Sequence, residues 1–477
     1  MKDNSYQEDR EEMRELLRQY ENLKTGRQHS FLEEDAFERI IDFYDEKDEL
    51  AHAMQAAEIG IEQFPFSSML MIKKADLLLA SRKYREALEI LEKAELFDSS
   101  DINLFILKTD AYLALDQQWK AVELLEEALQ QFEGDERIEL LFELADVYDD
   151  YEEFDKVFDC LKIILEEEPN NEEALYKICF WTDFTGRNEE SIKLHIKIID
   201  EFPYNELAWF NLGAAYQGLK LYEKAIDAYL FAVTIDEKFD YAYRNMGDAY
   251  LRMRKFKEAI EVLEKVLELS RPEDVIYEAI GHCYHKIGNY AQARFNYRKA
   301  SHLNPDDSKL YYKMALTYIN EEQWESAIKQ LESAMQIHRT LPEYNLAMGE
   351  CRMQLNQYKE AIQYFGNVVR TRPKSVAGWE ALIRCLYKAA FFEEGIEQSI
   401  AALKMTEGKP IFYYYLSACL FANKKSKEAL LQLEKGLEKS QRQLKKFLSL
   451  NPAILQNQQV VDLVAKYKKS KKNPPLL

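Results

Sequence analysis

Four aspartates stand at nearly fixed intervals, with Asp42, Asp76, Asp110 and Asp146 separated by 34, 34 and 36 residues. Carboxylates that recur at a structural period can stack on one face, repel one another and attract a Lys/Arg-rich segment. The plainer reading is that they keep a large acidic surface soluble. The same phase continues through Phe180, Ala214, Asp248, His282, Leu316, Glu350, Arg384 and Ala418. Asp35, Glu38, Asp45, Glu139, Asp149, Asp150, Glu173 and Asp183 extend its acidic part. A neighbouring phase holds Phe142, Tyr176, Phe210, Arg244, Glu278, Tyr312, Leu346 and Tyr414, with Tyr241 close by. Its aromatics are suited to gripping apolar side chains of a bound segment.

Other chemistry is sparse. His282-Cys283-Tyr284-His285 places two imidazoles at i and i+3, where one helix face could offer both to an ion. Asp248 is the only obvious further ligand, so an ordinary polar surface is the better reading. The six cysteines, Cys160, Cys179, Cys283, Cys351, Cys385 and Cys419, form no C-x-x-C pair. Four of them share one phase, but equivalent residues on adjacent helices lie about a helix diameter apart, beyond the roughly 7 Å limit of a disulfide. Buried packing suits them better. There is no G-x-S-x-G, P-loop, H-E-x-x-H or Gly-rich dinucleotide turn. Neither catalysis nor a cofactor or metal is expected.

Composition frames the elements that position these residues. With 15 Gly and 11 Pro in 477 residues, the chain has few breakers and is expected to be mostly helix. The first 205 residues carry 23 Lys and Arg against 52 Asp and Glu, the remainder 40 against 32. So acidic a first part repels phosphates, which argues against nucleic acid. The N-terminus lacks the apolar run of a signal peptide and no segment reads as a membrane span, so a cytoplasmic location is expected.

Helical periodicity is plain in Glu206–Phe239. Trp209, Leu212, Gly213 and Tyr216 fall at i, i+3, i+4 and i+7, and Ala225, Ala228, Tyr229 and Ala232 repeat the spacing after Gly218. Each helix is too short to stand alone. The small residue recurs as Ala53, Ala87, Ala121, Val157, Ser191, Ala225, Ala259, Ala293, Ala327, Ala361, Gly395 and Ala429, in steps of 34 with one of 36. A second series runs through Ala75, Ala145, Cys179, Gly213, Gly247, Gly281, Ala315, Gly349 and Ser417, with Ile41, Thr109 and Ile383 as exceptions. Small residues permit helix axes about 8–10 Å apart, and Tyr216, Tyr250, Tyr284 and Tyr318 are expected to fill the space beside them. The two extra residues are placed in the acidic turn at Gly134-Asp135-Glu136. Prolines at 65, 169, 203, 305 and 373 mark turns.

This order of Trp, Leu-Gly, Tyr, Ala, aromatic and Ala at a 34-residue period resembles the tetratricopeptide repeat, a helix–turn–helix unit. The resemblance covers about residues 34–443. It implies an all-α fold, an α-solenoid of about twelve repeats wound into a right-handed superhelix, with capping helices at both ends. The N-terminal cap is assigned to 1–33, with the stripe Met13, Leu16, Leu17, Tyr20 and Leu23, and Ser30-Phe31-Leu32-Glu33 reads as a capping box before the first repeat. The C-terminal cap is assigned to 444–465, with Ile454, Leu455, Val460, Val461 and Val464 as its apolar side, and 466–477 reads as a basic disordered tail. In this family the first helices line a concave groove. The resemblance therefore implies a partner-binding surface of Asp42, Asp76, Asp110, Asp146, Asp149, Phe142, Tyr176, Phe210, Tyr241, Arg244, Asp248, His282 and Tyr312, acidic at its start and aromatic or mixed beyond. Asn211 and Asn245 resemble the asparagine of the family's carboxylate clamp, but the flanking basic residues are absent. The implied function is a scaffold or adaptor holding a protein segment, with a basic segment favoured by charge. The alternatives are a regulator whose superhelix responds to a peptide, and an accessory subunit of a larger assembly. The basic tail itself is a further candidate occupant of the groove.

Overall fold

The structure, a computed structural model, describes the backbone of residues 2–25 and 31–470 and the side chains of 11–25 and 31–467. Among these residues there is no strand and no helix long and apolar enough to cross a membrane. The chain divides into two compact units, Met1–Ala242 and Tyr243–Leu477.

The N-terminal unit opens with α1 (Lys2–Lys24) and continues as six antiparallel pairs. These are α2 (Glu34–Asp45) with α3 (Leu50–Gln63), α4 (Ser68–Ala80) with α5 (Tyr84–Glu95), and α6 (Ile102–Ala114) with α7 (Gln118–Ala128). They continue as α8 (Asp135–Asp150) with α9 (Phe154–Glu167), α10 (Glu172–Thr185) with α11 (Asn188–Glu201), and α12 (Glu206–Gly218) with α13 (Tyr222–Ile235). The C-terminal unit repeats the plan, although the first three residues of α14, including Tyr241, fall in the N-terminal unit. Its pairs are α14 (Asp240–Arg252) with α15 (Phe256–Leu269), α16 (Asp274–Lys286) with α17 (Tyr290–Leu303), and α18 (Ser308–Asn320) with α19 (Trp324–Ile337). Then come α20 (Pro342–Gln354) with α21 (Tyr358–Thr371), α22 (Val376–Lys388) with α23 (Phe392–Met405), and α24 (Pro410–Ala422) with α25 (Ser426–Lys439). Two short helices, α26 (Leu444–Leu450) and α27 (Gln458–Ser470), follow, each preceded by a 3-10 turn, Gln441–Gln443 and Pro452–Gln456.

Local chemistry explains why the helices start and stop where they do. Many first helices begin at a side-chain cap: Ser67, Asp101, Asn171, Asn205, Asp307 and Ser375 each accept a backbone N–H two or three residues on. Most second helices lack such a cap and follow directly from a tight turn. That turn holds one left-handed residue per pair: Asp48, Arg82, Asp116, Glu152, Gly186, Lys220, Arg254, Gly288, Glu322, Asn356, Ala390 and Lys424. The residue after it often bonds five residues back, as Leu221 N–H does to the Tyr216 carbonyl, a Schellman closure. Ten of the twelve are not glycine, so sequence alone gives no mark of them.

The core lies between paired helices and is made by size complementarity. A Cβ on Gly213, Gly281 or Gly349 would come within 2.5–2.7 Å of the ring of Tyr229, Tyr297 or Phe365, and one on Gly247 within 2.6 Å of Leu263. Each large side chain sits sixteen residues after its glycine, on the second helix. Tyr250, Tyr284 and Tyr318 are partly buried at the edges of these clusters, but the side chain directly against each glycine comes from the second helix. Tyr216 and Tyr318 also lie under Lys224 and Arg294, and the Tyr284 hydroxyl donates to Glu264. Where the first helix carries a large residue the order inverts: Ile41 and Ile383 are followed sixteen residues on by Ala57 and Ser399, all four buried. Two of the three exceptions in the small-residue series are compensated in this way, whereas Thr109 is followed by Leu125, both buried.

Several local expectations change. The two extra residues are not confined to the turn: α8 is 16 residues long, and it starts an additional turn before its small residue, Ala145. Helix α2 begins after Glu33 without a side-chain cap bond, and Ser30 of the expected capping box lies outside the described residues. The C-terminal cap is not one helix. Ile454, Val460 and Val464 are buried, but Leu455 and Val461 are exposed, and α27 runs to Ser470, past residue 465. Tail residues 471–477 lie outside the described residues. At the other end Tyr20 of α1 packs edge-on against Phe37 at 6.5 Å, and Leu16, Leu17 and Leu23 flank the same cluster.

Candidate interaction surface

In the N-terminal unit the aspartate series lies along α2, α4, α6 and α8, and its ends differ from its middle. Lys73 Nζ sits 2.6 Å from Asp42 and 3.8 Å from Glu38. Lys177 on α10, 31 residues after Asp146 as Lys73 is after Asp42, lies 3.6 Å from Asp146 and 2.9 Å from Glu173. Between these two lysines Asp76, Asp110 and Glu143 form no ion pair among the described residues. Asp76 and Asp110 are exposed, yet the helices on either side displace part of the water around them.

That desolvation, followed by Asp45 and Asp42, raises the Asp76 pKa against the opposing pull of Lys73. Desolvation and then Asp76 raise Asp110. Glu143 is pushed furthest, to about 7, by burial first and then by Asp110, Asp146 and Glu139. The influence passes from one first helix to the next, so these carboxylates form one electrostatically coupled row. Glu143 was not among the sequence candidates. Its signal is helical phase, three residues before Asp146 and four after Glu139.

Apolar groups continue this face. Ile106, Ile138, Phe142 and Glu143 line a cleft of about 370 Å³ with Glu139, Asp146, Glu173 and Lys177, and the Lys177 ammonium lies 4.9 Å over the Phe142 ring. On α10, Tyr176, Phe180 and Phe184 recur every fourth residue and are 61%, 61% and 57% exposed. Phe180 and Phe184 stack at 5.9 Å, and Phe154 and the buried Trp181 hold them from behind. Phe184 was missed by the 34-residue series because it stands one turn beyond it. Asp149, Asp150 and Asp183 are exposed. Phe210 is half-buried against Tyr229 and Phe239, whereas Tyr241 is exposed at the edge of Phe239.

The C-terminal unit neutralises its first-helix charges internally. Arg244 grips Glu273 through two 2.8 Å bonds and reaches Ser270, Lys313 pairs with Glu278, and Arg384 meets Glu350 at 2.6 Å. Asp248 faces Arg252. Tyr312 lies 4.9 Å from Tyr344 and borders a cleft of about 420 Å³ with Leu316, Leu346, Glu350 and Arg384. His282 lies beside Phe256, and His285 Nε2 meets Asn320 at 2.9 Å. Burial, then Lys286, lowers both imidazole pKa values. Among the described residues no three His, Cys, Asp or Glu side chains converge on a metal-sized site. Tyr414 does not extend the aromatic series: it is fully buried, with its hydroxyl donating to the Ser440 carbonyl. Asn211 is also buried and donates to the Leu175 carbonyl at 2.7 Å, which leaves it bound to the neighbouring helix.

Helix pairs with a constant period, buried small-to-large contacts and side chains displayed on first helices define a helical repeat scaffold of the protein-interaction class. Two family models match: the tetratricopeptide repeat protein 21 C-terminal ARM domain over residues 215–346, and the tetratricopeptide repeat over 345–375. These two matches support tetratricopeptide repeats in this chain over residues 215–375. Solved structures that resemble it include the C-terminal part of a tetratricopeptide-repeat protein from Cytophaga hutchinsonii, with 15% identity, 54% of this chain and 99% of that one, and a TM-score of 0.44. Others are YrrB, a repeat protein with an unusual peptide-binding site, with 18% identity, 39% and 96% coverage and a TM-score of 0.35, and the APC/C hetero-tetramer Cut9–Hcn1, with 12%, 82% and 97%, and 0.34. No curated protein matches significantly.

Proposed function

We propose that this protein is a non-catalytic, cytoplasmic scaffold that holds a basic protein segment on the first-helix face of its N-terminal unit. The observation that carries the reading is the coupled row Asp76, Asp110 and Glu143, whose pKa values are raised by desolvation and by neighbouring carboxylates. A Lys/Arg-bearing segment relieves that repulsion. The stripe Tyr176, Phe180 and Phe184 offers apolar area to the residues between its charges. Asp42, Asp146, Asp149, Phe142, Phe210 and Tyr241 complete this surface. Arg244, Asp248, His282 and Tyr312, in the other unit, serve a mixed surface where charges are already paired. Phosphate-rich nucleic acid is the wrong ligand for the acidic row.

The test is selection of peptides from a random library on the full chain and on Asp76→Lys/Asp110→Lys/Asp146→Lys. The scaffold reading expects Lys/Arg-rich peptides with interspersed aromatic or aliphatic residues, lost from the variant and weakened by high salt. Equal selections on both proteins would refute it. A second reading, an accessory subunit, draws on Phe66, Leu96 and Phe97, exposed in inter-repeat turns with Phe66 and Phe97 5.4 Å apart. Loss of a native assembly on Phe66→Ser/Phe97→Ser, with peptide binding intact, would favour it.

A further inference from the structure

The C-terminal unit ends with two elements that do different work. Helix α27 closes the end of the array: Val460 and Val464 share a buried cluster with Leu433 and Leu437 of α25. The Tyr467 hydroxyl reaches Glu438 at 3.0 Å and Glu434 at 3.3 Å, with Lys466 3.6 Å from Glu434. Lys466, the first residue of the basic tail, thus lies against a second helix.

The segment before α27 turns the other way. Helix α26 lies on α24, and its Lys446 passes beyond α24 to α22, where Nζ lies 2.6 and 2.9 Å from the two Glu380 carboxylate oxygens. Phe447 is fully buried, its ring 6.0 Å from that of Tyr414. Leu450 packs on the apolar cluster that α22 and α24 share, which includes Leu382, Phe412 and Tyr415. Tyr414 and Ala418, the last members of the two first-helix series, are buried in a cluster with Phe447 and with Leu433 and Leu437 of α25. Capping an array does not require reaching two first helices back.

The hold on this segment is light. Of α26 only Phe447 is fully covered, and the helix has seven residues, no side-chain N-cap bond and a 3-10 turn on either side. Lys446 is half exposed. Glu380 also borders the open cleft that runs past Leu346, Ala347 and Glu350, so the covered seat continues directly into uncovered surface.

We propose that the first-helix face of α22 and α24 is a docking site for an amphipathic cationic helix of the pattern Lys-Phe-x-x-Leu, and that residues 441–457 hold it closed in cis. Glu380 selects the cation, Tyr414 and Ala418 receive the aromatic ring, and the α22/α24 cluster takes the leucine one turn later. The site stands apart from the acidic row of the N-terminal unit and does not depend on it.

The probe is a labelled peptide of residues 440–457, titrated by fluorescence anisotropy into the full chain and into Lys446→Glu/Phe447→Ala. The variant is expected to bind at least about tenfold more tightly than wild type, since its own segment competes less. Adding Glu380→Lys to the variant should abolish binding, and a peptide carrying Lys446→Glu should restore it. Equal affinity of the two chains, or no rescue by the charge swap, overturns the proposal. Hydrogen exchange on unmodified protein supplies a second readout. Amides of Phe447–Leu450 are expected to exchange at least about tenfold faster than those of α24. Equal protection would make α26 an inseparable part of the cap and overturn the proposal as well.

Discussion

Replacing Glu143 by Gln removes the most perturbed carboxylate of the acidic row while keeping its size. In the fold its pKa stands at about 7 against a reference of 4.5, and that difference corresponds to about 3 kcal/mol. The folded value is raised, so the stability linked to this proton is fully present below about pH 4.5 and is lost as pH rises through 7. Wild type should therefore weaken relative to Glu143→Gln by up to about 3 kcal/mol between pH 4 and 8. A repeat array does not unfold in one step, so the measurement is hydrogen exchange of α6 and α8 amides in both proteins across that range. Asp110→Asn should lower the Glu143 pKa only in part, because burial is the leading cause and Asp110 the second. At pH 7 about half of the Glu143 side chains carry a proton, so a basic segment seated on the row should expel a fraction of a proton. Calorimetry in buffers of different ionisation enthalpy reads that release. Parallel exchange profiles for wild type and Glu143→Gln, or binding without proton release, would refute the coupling.

Packing and turns give further expectations. Gly349→Ala places a methyl 2.5 Å from the Phe365 ring and should cost about 1–3 kcal/mol of local stability, read by hydrogen exchange of the helices around the substitution, most of it regained with Phe365→Leu. Ala259→Leu, at a fully buried position, should cost a similar amount, about 1–3 kcal/mol, in the same assay. Ala390→Gly relaxes a left-handed residue with φ of 61° and should leave stability unchanged or raise it by up to about 1 kcal/mol. His195 is fully buried, with Nδ1 2.8 Å from the Ser191 carbonyl, and burial lowers its pKa to about 4. Because the folded value is depressed, its contribution is intact above about pH 6.5 and is lost as pH falls towards 4, by roughly 3 kcal/mol. Exchange of α11 amides between pH 7 and 4 checks this.

Much of the architecture was legible because period and residue size are written into the chain. The Ala225-type and Gly213-type series locate one helix each, and both fall inside helices of the structure. What sequence hides is the partner across the contact. Gly213 announces a close approach, but nothing local shows that Tyr229 fills it and Tyr216 does not. The intra-repeat turns were silent for a similar reason: Arg82, Lys220 and Ala390 share a backbone conformation but no side-chain property. The surface was legible in sign but not in detail. Asp76 and Asp110 follow the period, whereas Glu143 and Phe184 stand a turn away from it, where only helical phase could have found them. Arg244 and Tyr414 carry the right position, yet Glu273 and the α26 segment claim them first.

The inverted pairs Ile41 with Ala57 and Ile383 with Ser399 bear on how such a chain can be rebuilt. In these two pairs a large residue on one helix is answered by a small one on the other, so the two halves of the repeat are matched like a lock ward and its key. A graft that moved α22 alone into the pair of α12, α16 or α20 would set Ile383 against Tyr229, Tyr297 or Phe365, and one that moved α23 alone opposite Gly213, Gly281 or Gly349 would leave a void beside Ser399. Duplication, deletion or exchange of repeats, in nature or at the bench, should therefore succeed in whole helix pairs and fail in halves.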